Sequence, residues 1–375
     1  DSALEPLLRI ALVPGVGPAR LAALLRRFGS PERVLGASAQ EVGRIPGFGG
    51  ETVRRLGAAA EPAATGPVGA CMARLRKMGA VGITPDDASY PDDFRGIADA
   101  PYLLFAAGRL ELLGNPAIGI VGTREPTPYG RSTAATLAGE LAGAGFAVVS
   151  GMAKGIDAAA HEAALDARGG TVGVLGQGID GVYPAENRRL FERVRGEGCL
   201  LSEYPPGEEP RAGNFPRRNR LIAALSAGVL VVEMAARSGA QHTVNYALEQ
   251  GKEIFAVPGP IGSATSAGTN QMLKDGARLV TGVQDILEEL GGVGTLSASP
   301  RAPRPEIPAP TEPAEPEGLS AEERRVFAAL GPDPLHVDPL GSAAGLPPGQ
   351  LLPALLALEL RGVVEALPGK HFRRS

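Results

Sequence analysis

Residues 214–220 form a basic segment that reads Asn-Phe-Pro-Arg-Arg-Asn-Arg. Apolar residues follow with helical spacing at Leu221, Ile222 and Leu225, which predicts an amphipathic helix that begins near Pro216. Unpaired N–H groups and a positive dipole end at such a helix start attract anions. The segment therefore predicts either a site for a polyanion or a solvated basic surface with scattered ion pairs. Its candidate binding residues are Phe215, Arg217, Arg218, Asn219 and Arg220.

Three other loops carry groups that are suited to binding phosphate. Gly122-Thr123-Arg124 follows an apolar run, and Arg124 offers a planar guanidinium to one phosphate. Lys154 adds a point charge in a second glycine-rich loop, and Ser238 precedes a predicted helix whose backbone N–H groups are free. We expect these loops to contribute Gly122, Thr123, Arg124, Lys154, Ser238 and Gly239 to one anion-binding site.

Phe215 lies beside the arginines and has two possible roles. Its ring is suited to stack under a nucleobase, which contributes about 1–3 kcal/mol per base. The ring is equally suited to anchor its loop in the apolar core. The sequence leaves both roles open.

Enzymatic chemistry has less support in the sequence. Asp157 and His161 are four residues apart on a predicted helix, but no third metal ligand accompanies them, and a helix cap with a packed histidine explains both. Glu203 and Glu233 could act as general bases, yet neither has a Ser-His or Cys-His pattern nearby. The GxGxxG and GxxxxGK[S/T] motifs of nucleotide sites are absent. We predict a protein that is not an enzyme and that needs neither a metal nor a cofactor.

The overall composition limits the kinds of partner. The 375 residues include 37 basic and 41 acidic side chains, so any nucleic-acid contact must come from local basic patches. Two distant cysteines, Cys71 and Cys199, favour a reducing compartment and argue against a disulfide scaffold. No apolar run reaches membrane-spanning length. We therefore predict a cytoplasmic protein with no membrane partner.

Residues 115–290 alternate apolar runs with helical patterns. This alternation predicts a parallel sheet with right-handed crossovers. Ligands on such sheets bind at the carboxyl ends of strands, near a topological switch point, so the anion-binding loops should meet at one edge. The predicted strands are 117–121, 146–150, 171–175, 200–201, 229–232, 254–257 and a last one near Leu279.

The sequence predicts three domains and one linker. Residues 1–66 repeat a glycine turn between helices, resemble helix-hairpin-helix repeats, and end in a linker at 59–66. Residues 67–290 form the core, with short strands at 80–83 and 102–106 at its front edge. Residues 291–317 form a Pro-rich linker, and 318–375 predict three helices and a two-stranded wing. The predicted fold class is α/β: an extended Rossmann-like parallel sheet core flanked by a small helical domain and a winged-helix-like domain.

Several ordered motifs run through residues 115–290. They are Ile120–Arg124, Ser150–Asp157 with His161, Tyr183–Asn187, Phe215–Arg220, Val232-Glu233 with Ser238-Gly239, Phe255–Gly259 and Gly268–Asn270. Together they resemble the motifs of the DNA processing protein A family, whose members also carry flanking domains of these kinds. One departure is the segment 240–243, Ala-Gln-His-Thr, where the family usually has small and aliphatic residues.

The resemblance implies a domain that binds single-stranded DNA. It implies a protein that protects incoming DNA in natural transformation and helps to load the RecA recombinase, displacing or working past single-strand binding protein. It also implies a homodimer formed through the Rossmann-like domain. By motif position, it assigns DNA contact or pocket formation to Thr123, Arg124, Phe215, Arg217, Arg218, Asn219 and Arg220, and it extends to Lys154 and Ser238.

Two other functions stay open at this stage. A nucleotide phosphoribohydrolase-like enzyme would have a similar core, but its Pro-Gly-Gly-x-Gly-Thr loop is absent here, and residues 238–240 (Ser-Gly-Ala) are the nearest counterpart. A non-catalytic adaptor would use the outer domains to dock proteins. The adaptor hypothesis predicts that substitutions of Arg124 or Arg217 leave nucleic-acid affinity unchanged.

Overall fold

The computed structural model describes residues 4–61, 66–291, 319–330, 335–361, 363–367 and 371–374. The chain forms two compact units that divide at residue 300. The predicted Pro-rich linker at 291–317 lies outside the described residues, apart from Gly291. The exact domain boundaries taken from the sequence stay predictions.

Six helices build the N-terminal part of the first unit around an apolar core. Leu8, Ile10 and Leu24 are fully buried, because apolar residues recur at helical spacing on the helices that carry them. In the first glycine turn Gly15 has a φ of +94°, a conformation that glycine adopts without strain. The helices are α1 (Leu4–Ala11), α2 (Pro18–Phe28), α3 (Pro31–Leu35), α4 (Ala39–Gly43), α5 (Gly50–Ala60) and α6 (Gly66–Met78).

The connection between α5 and α6 is shorter than the sequence predicts. A linker is expected over 59–66, but α5 continues to Ala60 and α6 begins at Gly66, with residues 62–65 outside the described residues. Helix α6 is not evident from the sequence because Pro67 and Gly69 interrupt its first turn and only one narrow side is apolar. That side consists of Val68, Cys71 and Leu75.

A nine-stranded sheet forms the centre of the first unit. Its strands are β1 (Ala80–Ile83), β2 (Leu104–Gly108), β3 (Ala117–Val121), β4 (Ala147–Ser150), β5 (Thr171–Leu175), β6 (Cys199–Ser202), β7 (Gly228–Val231), β8 (Glu253–Ala256) and β9 (Arg278–Leu279). Their spatial order is β1-β2-β6-β5-β4-β3-β7-β8-β9. All pairs from β6 to β9 are parallel, whereas β2 runs antiparallel to β1 and β6. The predicted α/β fold class is confirmed.

Helices cover both faces of the sheet, as crossovers between parallel strands require. They are α7 (Pro128–Gly143), α8 (Ile156–Asp166), α9 (Arg188–Glu197), α10 (Asn214–Leu225), α11 (Ala240–Glu249), α12 (Ala267–Lys274) and α13 (Val283–Glu289). Short 3-10 helices occur at Asp92–Gly96, Leu110–Gly114, Ala185–Asn187 and Ala264–Ser266. Helices α7 and α8 pack on the face that carries Ile118, and α10 and α11 pack on the face that carries Val231.

Strand β3 lies at the topological switch point of the sheet. The chain leaves β3 and crosses to β4 on one side, while β7 pairs with the other side of β3. The loops that follow β3 and β7 therefore diverge, and a crevice opens between them at the carboxyl edge.

In its described residues, the second unit combines three helices with a three-stranded antiparallel sheet. The elements are α14 (Ala321–Ala329), β10 (Leu335–His336), α15 (Val337–Ala344), α16 (Pro348–Leu360), β11 (Val364–Leu367) and β12 (His371–Arg374). The sequence predicts a two-stranded wing at 363–370, whereas β12 lies beyond that range, at 371–374. The sequence does not predict β10, because this strand is two residues long and pairs with Phe372 and His371 far along the chain. Ser320 and Glu323 form the predicted capping box of α14. Across the described residues of both units, no helix has the length and apolar character needed to cross a bilayer.

Candidate nucleic-acid interface

An open cleft of about 580 Å³ lies at the switch point of the sheet. Its walls come from the loop after β3, the loop after β7 and the first turns of α10 and α11. We call it the front cleft. Eight predicted site residues line it: Gly122, Thr123, Arg124, Phe215, Arg218, Asn219, Ser238 and Gly239.

Arg124 is an exposed cation on the loop after β3. Its side chain makes no hydrogen bond or ion pair with any described residue. The loop beneath it is fixed, because the Thr123 N–H donates to the Glu233 carbonyl at 2.8 Å and the Thr123 carbonyl accepts from the Ile156 N–H at 3.2 Å. A Cβ at Gly155 would lie 2.4 Å from that same carbonyl oxygen, so the neighbouring loop packs tightly against it. Arg124 therefore presents an unpaired guanidinium from a rigid backbone.

Arg218 is 5% exposed and lies beneath the floor of the front cleft. Its Nη1 donates to the carbonyl oxygen of Gly151 at 2.8 Å and to that of Val174, and its Nε donates to Asn219 Oδ1 at 3.2 Å. Burial lowers the pKa of Arg218 to about 10, and the carboxylate of Asp157 opposes this shift. The guanidinium stays charged at neutral pH, so it adds positive potential under the cleft although the protein already uses several of its donors.

Asp157 holds the glycine-rich loop after β4. Its Oδ2 accepts from the N–H groups of Gly151 at 3.1 Å and Ala153 at 3.3 Å. Nδ1 of His161 lies 2.7 Å from Thr171 Oγ1 inside the core. Both side chains are thus engaged by protein groups, and within the described part of the chain no three His, Cys, Asp or Glu side chains cluster as metal ligands.

Two aromatic rings form one side of the front cleft. The centroids of Phe215 and Tyr183 are 5.2 Å apart, with their planes tilted by 33°, and Tyr183 is 45% exposed. The Phe215 ring also packs closely on Gly176, where an added Cβ would lie 2.8 Å from the ring. The pair offers an aromatic surface on which a base can stack. Tyr183 is not among the site residues predicted from the sequence, although an aromatic residue within a family motif was the available signal.

Helix α11 begins at the opposite wall of the cleft. Ser238 Oγ accepts from the Ala240 N–H at 3.3 Å, and the His242 N–H donates to the Gly239 carbonyl at 3.2 Å. The hydroxyl proton of Ser238 has no acceptor among the described residues and is available to a ligand. His242 and Thr243 also line the cleft, and both belong to the segment that departs from the family pattern.

Arg220 does not reach the front cleft. It is 2% exposed, its Nε donates to Asp99 Oδ2 at 2.5 Å, and its Nη2 donates to Glu203 Oε1 at 2.6 Å. A guanidinium enclosed in this way is not accessible to a DNA strand, so the predicted contact at Arg220 conflicts with the structure. The physical reason is helical periodicity, which turns neighbouring side chains by about 100° each and separates the arginines that the sequence groups together.

Two further predicted residues lie outside the front cleft. The Nζ of Lys154 pairs with Glu186 Oε1 at 2.6 Å, and both side chains are at least half exposed. Arg217 lines a different cleft, on the other side of the α10 first turn. Neither placement supports the direct role in the front cleft that the sequence suggests.

Glu233 has a structural role. Its Oε1 accepts from the Thr127 hydroxyl at 2.6 Å and its Oε2 from the Thr127 N–H at 2.9 Å, which fixes the start of α7. Glu203 pairs with Arg220. Neither carboxylate lines the front cleft.

Three family models match the chain. A model described as DNA recombination-mediator protein A matches residues 82–291, which is more than half of the chain. A DprA winged helix domain model matches residues 309–370, and a SAM-like helix-hairpin-helix tandem model matches residues 5–61.

Individual proteins show the same similarity. Protein Smf of Synechocystis sp. is 34% identical over 96% of this chain and 96% of its own length. The X-ray structure of DNA processing protein A from Streptococcus pneumoniae has a TM-score of 0.64 and 34% identity, and covers 75% of this chain and 95% of that one. DNA processing protein A from Helicobacter pylori, whose structure describes its single-stranded DNA binding mode, has a TM-score of 0.51 and 34% identity, and covers 56% of this chain and 95% of that one.

Proposed function

Because this chain belongs to the DNA recombination-mediator protein A family, we propose that it binds single-stranded DNA in the front cleft. The strand follows the carboxyl edge of the sheet. Arg124, the Ser238 hydroxyl and the backbone N–H groups at the start of α10 hold its phosphates, while bases stack on Tyr183 and Phe215. Contacts of these kinds carry little sequence preference, which suits a protein that accepts any strand.

The observation that carries this proposal is the combination of groups in one cleft. The front cleft brings together the unpaired guanidinium of Arg124, two helix starts and two adjacent aromatic rings. Asp157, whose carboxylate also lines the cleft, is occupied by backbone N–H groups. The chain as a whole carries a net charge of −4, so attraction to DNA has to come from such local groups.

The wider role rests on family membership. In this proposal the protein protects incoming single-stranded DNA during natural transformation and helps to load the RecA recombinase, working past single-strand binding protein. It acts in the cytoplasm as a homodimer formed through the Rossmann-like core. It performs no catalytic step and needs no cofactor.

The test is fluorescence anisotropy of a labelled oligo-dT, titrated with the full chain at several salt concentrations. Arg124→Gln removes one charge-assisted contact, so we expect about a tenfold to hundredfold loss of affinity. The slope of log affinity against log salt should also become shallower by roughly 0.7. RecA loading is the next assay once this interface is established.

Arg168→Gln is the matched control. Arg168 is exposed and lies between α8 and β5, at the amino edge of the sheet and away from the front cleft. Arg168→Gln removes the same charge as Arg124→Gln, and we expect the oligo-dT affinity and the salt slope to equal those of the wild type. If Arg124→Gln and Arg168→Gln lowered the oligo-dT affinity equally, the binding would depend on the overall charge of the protein, and the front cleft would not be the interface.

A further inference from the structure

A second cleft, of about 680 Å³, lies on the other side of the α10 first turn. One of its walls is the turn between α1 and α2 together with α6, and the opposite wall is the chain that follows β6. We call it the rear cleft and define it by Gly17, Cys71, Tyr102, Glu203, Tyr204 and Arg217. The first turn of α10 separates the two clefts, since Asn214 and Arg217 line the rear cleft whereas Phe215 and Arg218 line the front one.

Three buried polar atoms at the rear cleft have no hydrogen-bond partner among the described residues. They are the Tyr204 hydroxyl, Glu203 Oε2 and Asn214 Nδ2. Tyr204 is 6% exposed and Glu203 is 5% exposed. Buried polar groups in native proteins are almost always paired, with protein, water or a ligand. This set contains a carboxylate acceptor, an amide donor and a hydroxyl, so it matches a ligand edge that carries both donors and acceptors.

Cationic groups at the same cleft favour an anionic part of the ligand. Arg217 makes no hydrogen bond or ion pair with any described residue. Arg217 lines the cleft together with Glu203 and Tyr204. Burial raises the pKa of Tyr204 to about 12, Glu203 adds to the rise and Arg217 opposes it. Helix α2 also begins at the cleft, with Gly17 as its N-cap and Pro18, which has no N–H, as its first residue, so its contribution there is the positive end of the helix dipole.

The rest of the lining is partly apolar and partly charged. Tyr102, Pro14 and Pro205 line the rear cleft, as do Arg74, Glu208 and Arg211. Arg74 pairs with Asp180 and Arg211 pairs with Glu208, so both cations already have partners. The cleft therefore combines an aromatic side chain that can contact a planar base, unpaired polar atoms and the unpaired cation Arg217.

We propose that the rear cleft binds one nucleotide unit whose base carries an exocyclic amino group. Glu203 Oε2 accepts from that amino group, Tyr204 and Asn214 bond to the adjacent atoms of the base edge, and the phosphate lies between Arg217 and the start of α2. Adenine, cytosine and guanine provide the amino donor, whereas thymine does not. This site is additional to the single-stranded DNA surface in the front cleft.

The test is isothermal titration calorimetry of dAMP, dTMP and inorganic phosphate against the full chain that carries Arg124→Gln, which weakens the front cleft. We expect dAMP to bind roughly tenfold more tightly than dTMP, because dTMP leaves Glu203 unpaired. Tyr204→Phe removes one hydroxyl and should weaken dAMP binding about fivefold to tenfold. Ala70→Trp, at an exposed position of α6 next to Cys71, should block the rear cleft and abolish dAMP binding. Circular dichroism melting curves check that each variant is folded.

The source of the nucleotide is decided by competition. An oligo-dA strand that displaces dAMP from the rear cleft would identify the ligand as a residue of a DNA strand, and an oligo-dA strand that leaves dAMP bound would identify a free nucleotide. Absence of dAMP binding would overturn the proposal, as would dAMP binding that survives both Tyr204→Phe and Ala70→Trp. The front-cleft proposal is judged separately, by oligo-dT affinity in the Tyr204→Phe variant with native Arg124, which we expect to equal that of the wild type.

Discussion

Arg220→Met should destabilise the fold and leave the front cleft, the proposed DNA surface, intact. Arg220 pairs with Asp99 and Glu203, but these two partners differ in environment. The Asp99 side chain is 52% exposed, so water screens that pair and its loss costs little. The Glu203 side chain is 3% exposed, so its carboxylate would be left buried without its cation.

The expected magnitude follows from that difference in burial. Removing one partner of a buried ion pair costs about 3–5 kcal/mol, because the other charge stays desolvated. This is a large part of the roughly 5–15 kcal/mol that stabilises a typical domain. Arg217→Met makes the same chemical change three residues earlier, at a side chain that has no ion pair among the described residues, and it should cost less than about 0.5 kcal/mol.

The loss at Arg220 should depend on pH in a defined direction. Burial already raises the pKa of Glu203 above its usual value, and Arg220 is the main opposing group. Without Arg220 the pKa of Glu203 rises further, so the folded state binds a proton more tightly than the unfolded state does. The free energy of unfolding that the Arg220→Met variant loses at pH 8 is therefore recovered as the pH falls toward the pKa of Glu203 in the folded state.

The assay is urea unfolding followed by circular dichroism at pH 8 and pH 5.5, with oligo-dT anisotropy on the folded variant. We expect a smaller difference from the wild type at pH 5.5 than at pH 8, and wild-type oligo-dT affinity and salt slope. A loss below about 1 kcal/mol at pH 8 would refute the account of a buried ion pair. A salt slope that is shallower by about 0.7 in the folded variant would instead mark Arg220 as a phosphate contact.

Three further substitutions test other parts of the first unit. Tyr183→Ser should weaken oligo-dT binding by about 1–3 kcal/mol with an unchanged salt slope, because stacking is not ionic. Anisotropy at two salt concentrations measures the affinity and the salt slope, and a shallower slope would argue against stacking. Gly151→Ala should cost about 1–3 kcal/mol of unfolding free energy, since the new Cβ would lie 2.5 Å from Arg218 Nη2; wild-type stability in urea would contradict this. Burial lowers the pKa of His161 to about 3. Below pH 6.5 the unfolded chain therefore takes up a proton at this histidine that the folded chain does not. The free energy of unfolding of the wild type should fall by up to roughly 1.4 kcal/mol per pH unit in that range. His161→Gln should make that decline shallower between pH 7 and pH 5, and an unchanged decline would show that His161 does not cause it.

The buried strands are the part of the fold that the sequence predicts well. Ala117–Val121 and Thr171–Leu175 match their predicted bounds, because a parallel strand covered on both faces is a continuous apolar run. The antiparallel direction of β2 could not be predicted in this way. It depends on pairing Phe105 with Ser202, and local periodicity contains no information on such distant partners.

The sequence predicts the location of a site residue well when that residue lies on a loop whose place in the sheet follows from the order of the strands. Arg124 follows a strand at the switch point, so its location at the carboxyl edge follows from the order of elements. The arginines of α10 are different, because three charges within four positions point in separate directions on a helix. Arg220 also contacts residues that are distant in sequence, since it pairs with Glu203 and with Asp99, which lies 121 residues earlier in the chain.

The antiparallel placement of β2 has a consequence for how the chain folds during synthesis. Strands β1 and β2 can pair as soon as both have emerged, but β2 needs β6, and Phe105 and Ser202 are roughly 100 residues apart. At about 5–20 residues per second, that delay lasts on the order of 5–20 s. Throughout it the hairpin exposes an unpaired edge of the kind that recruits other chains. The ribosome-bound chain is therefore vulnerable to aggregation in this interval, before α10 and α11, whose first turns form walls of the front cleft, have been synthesised.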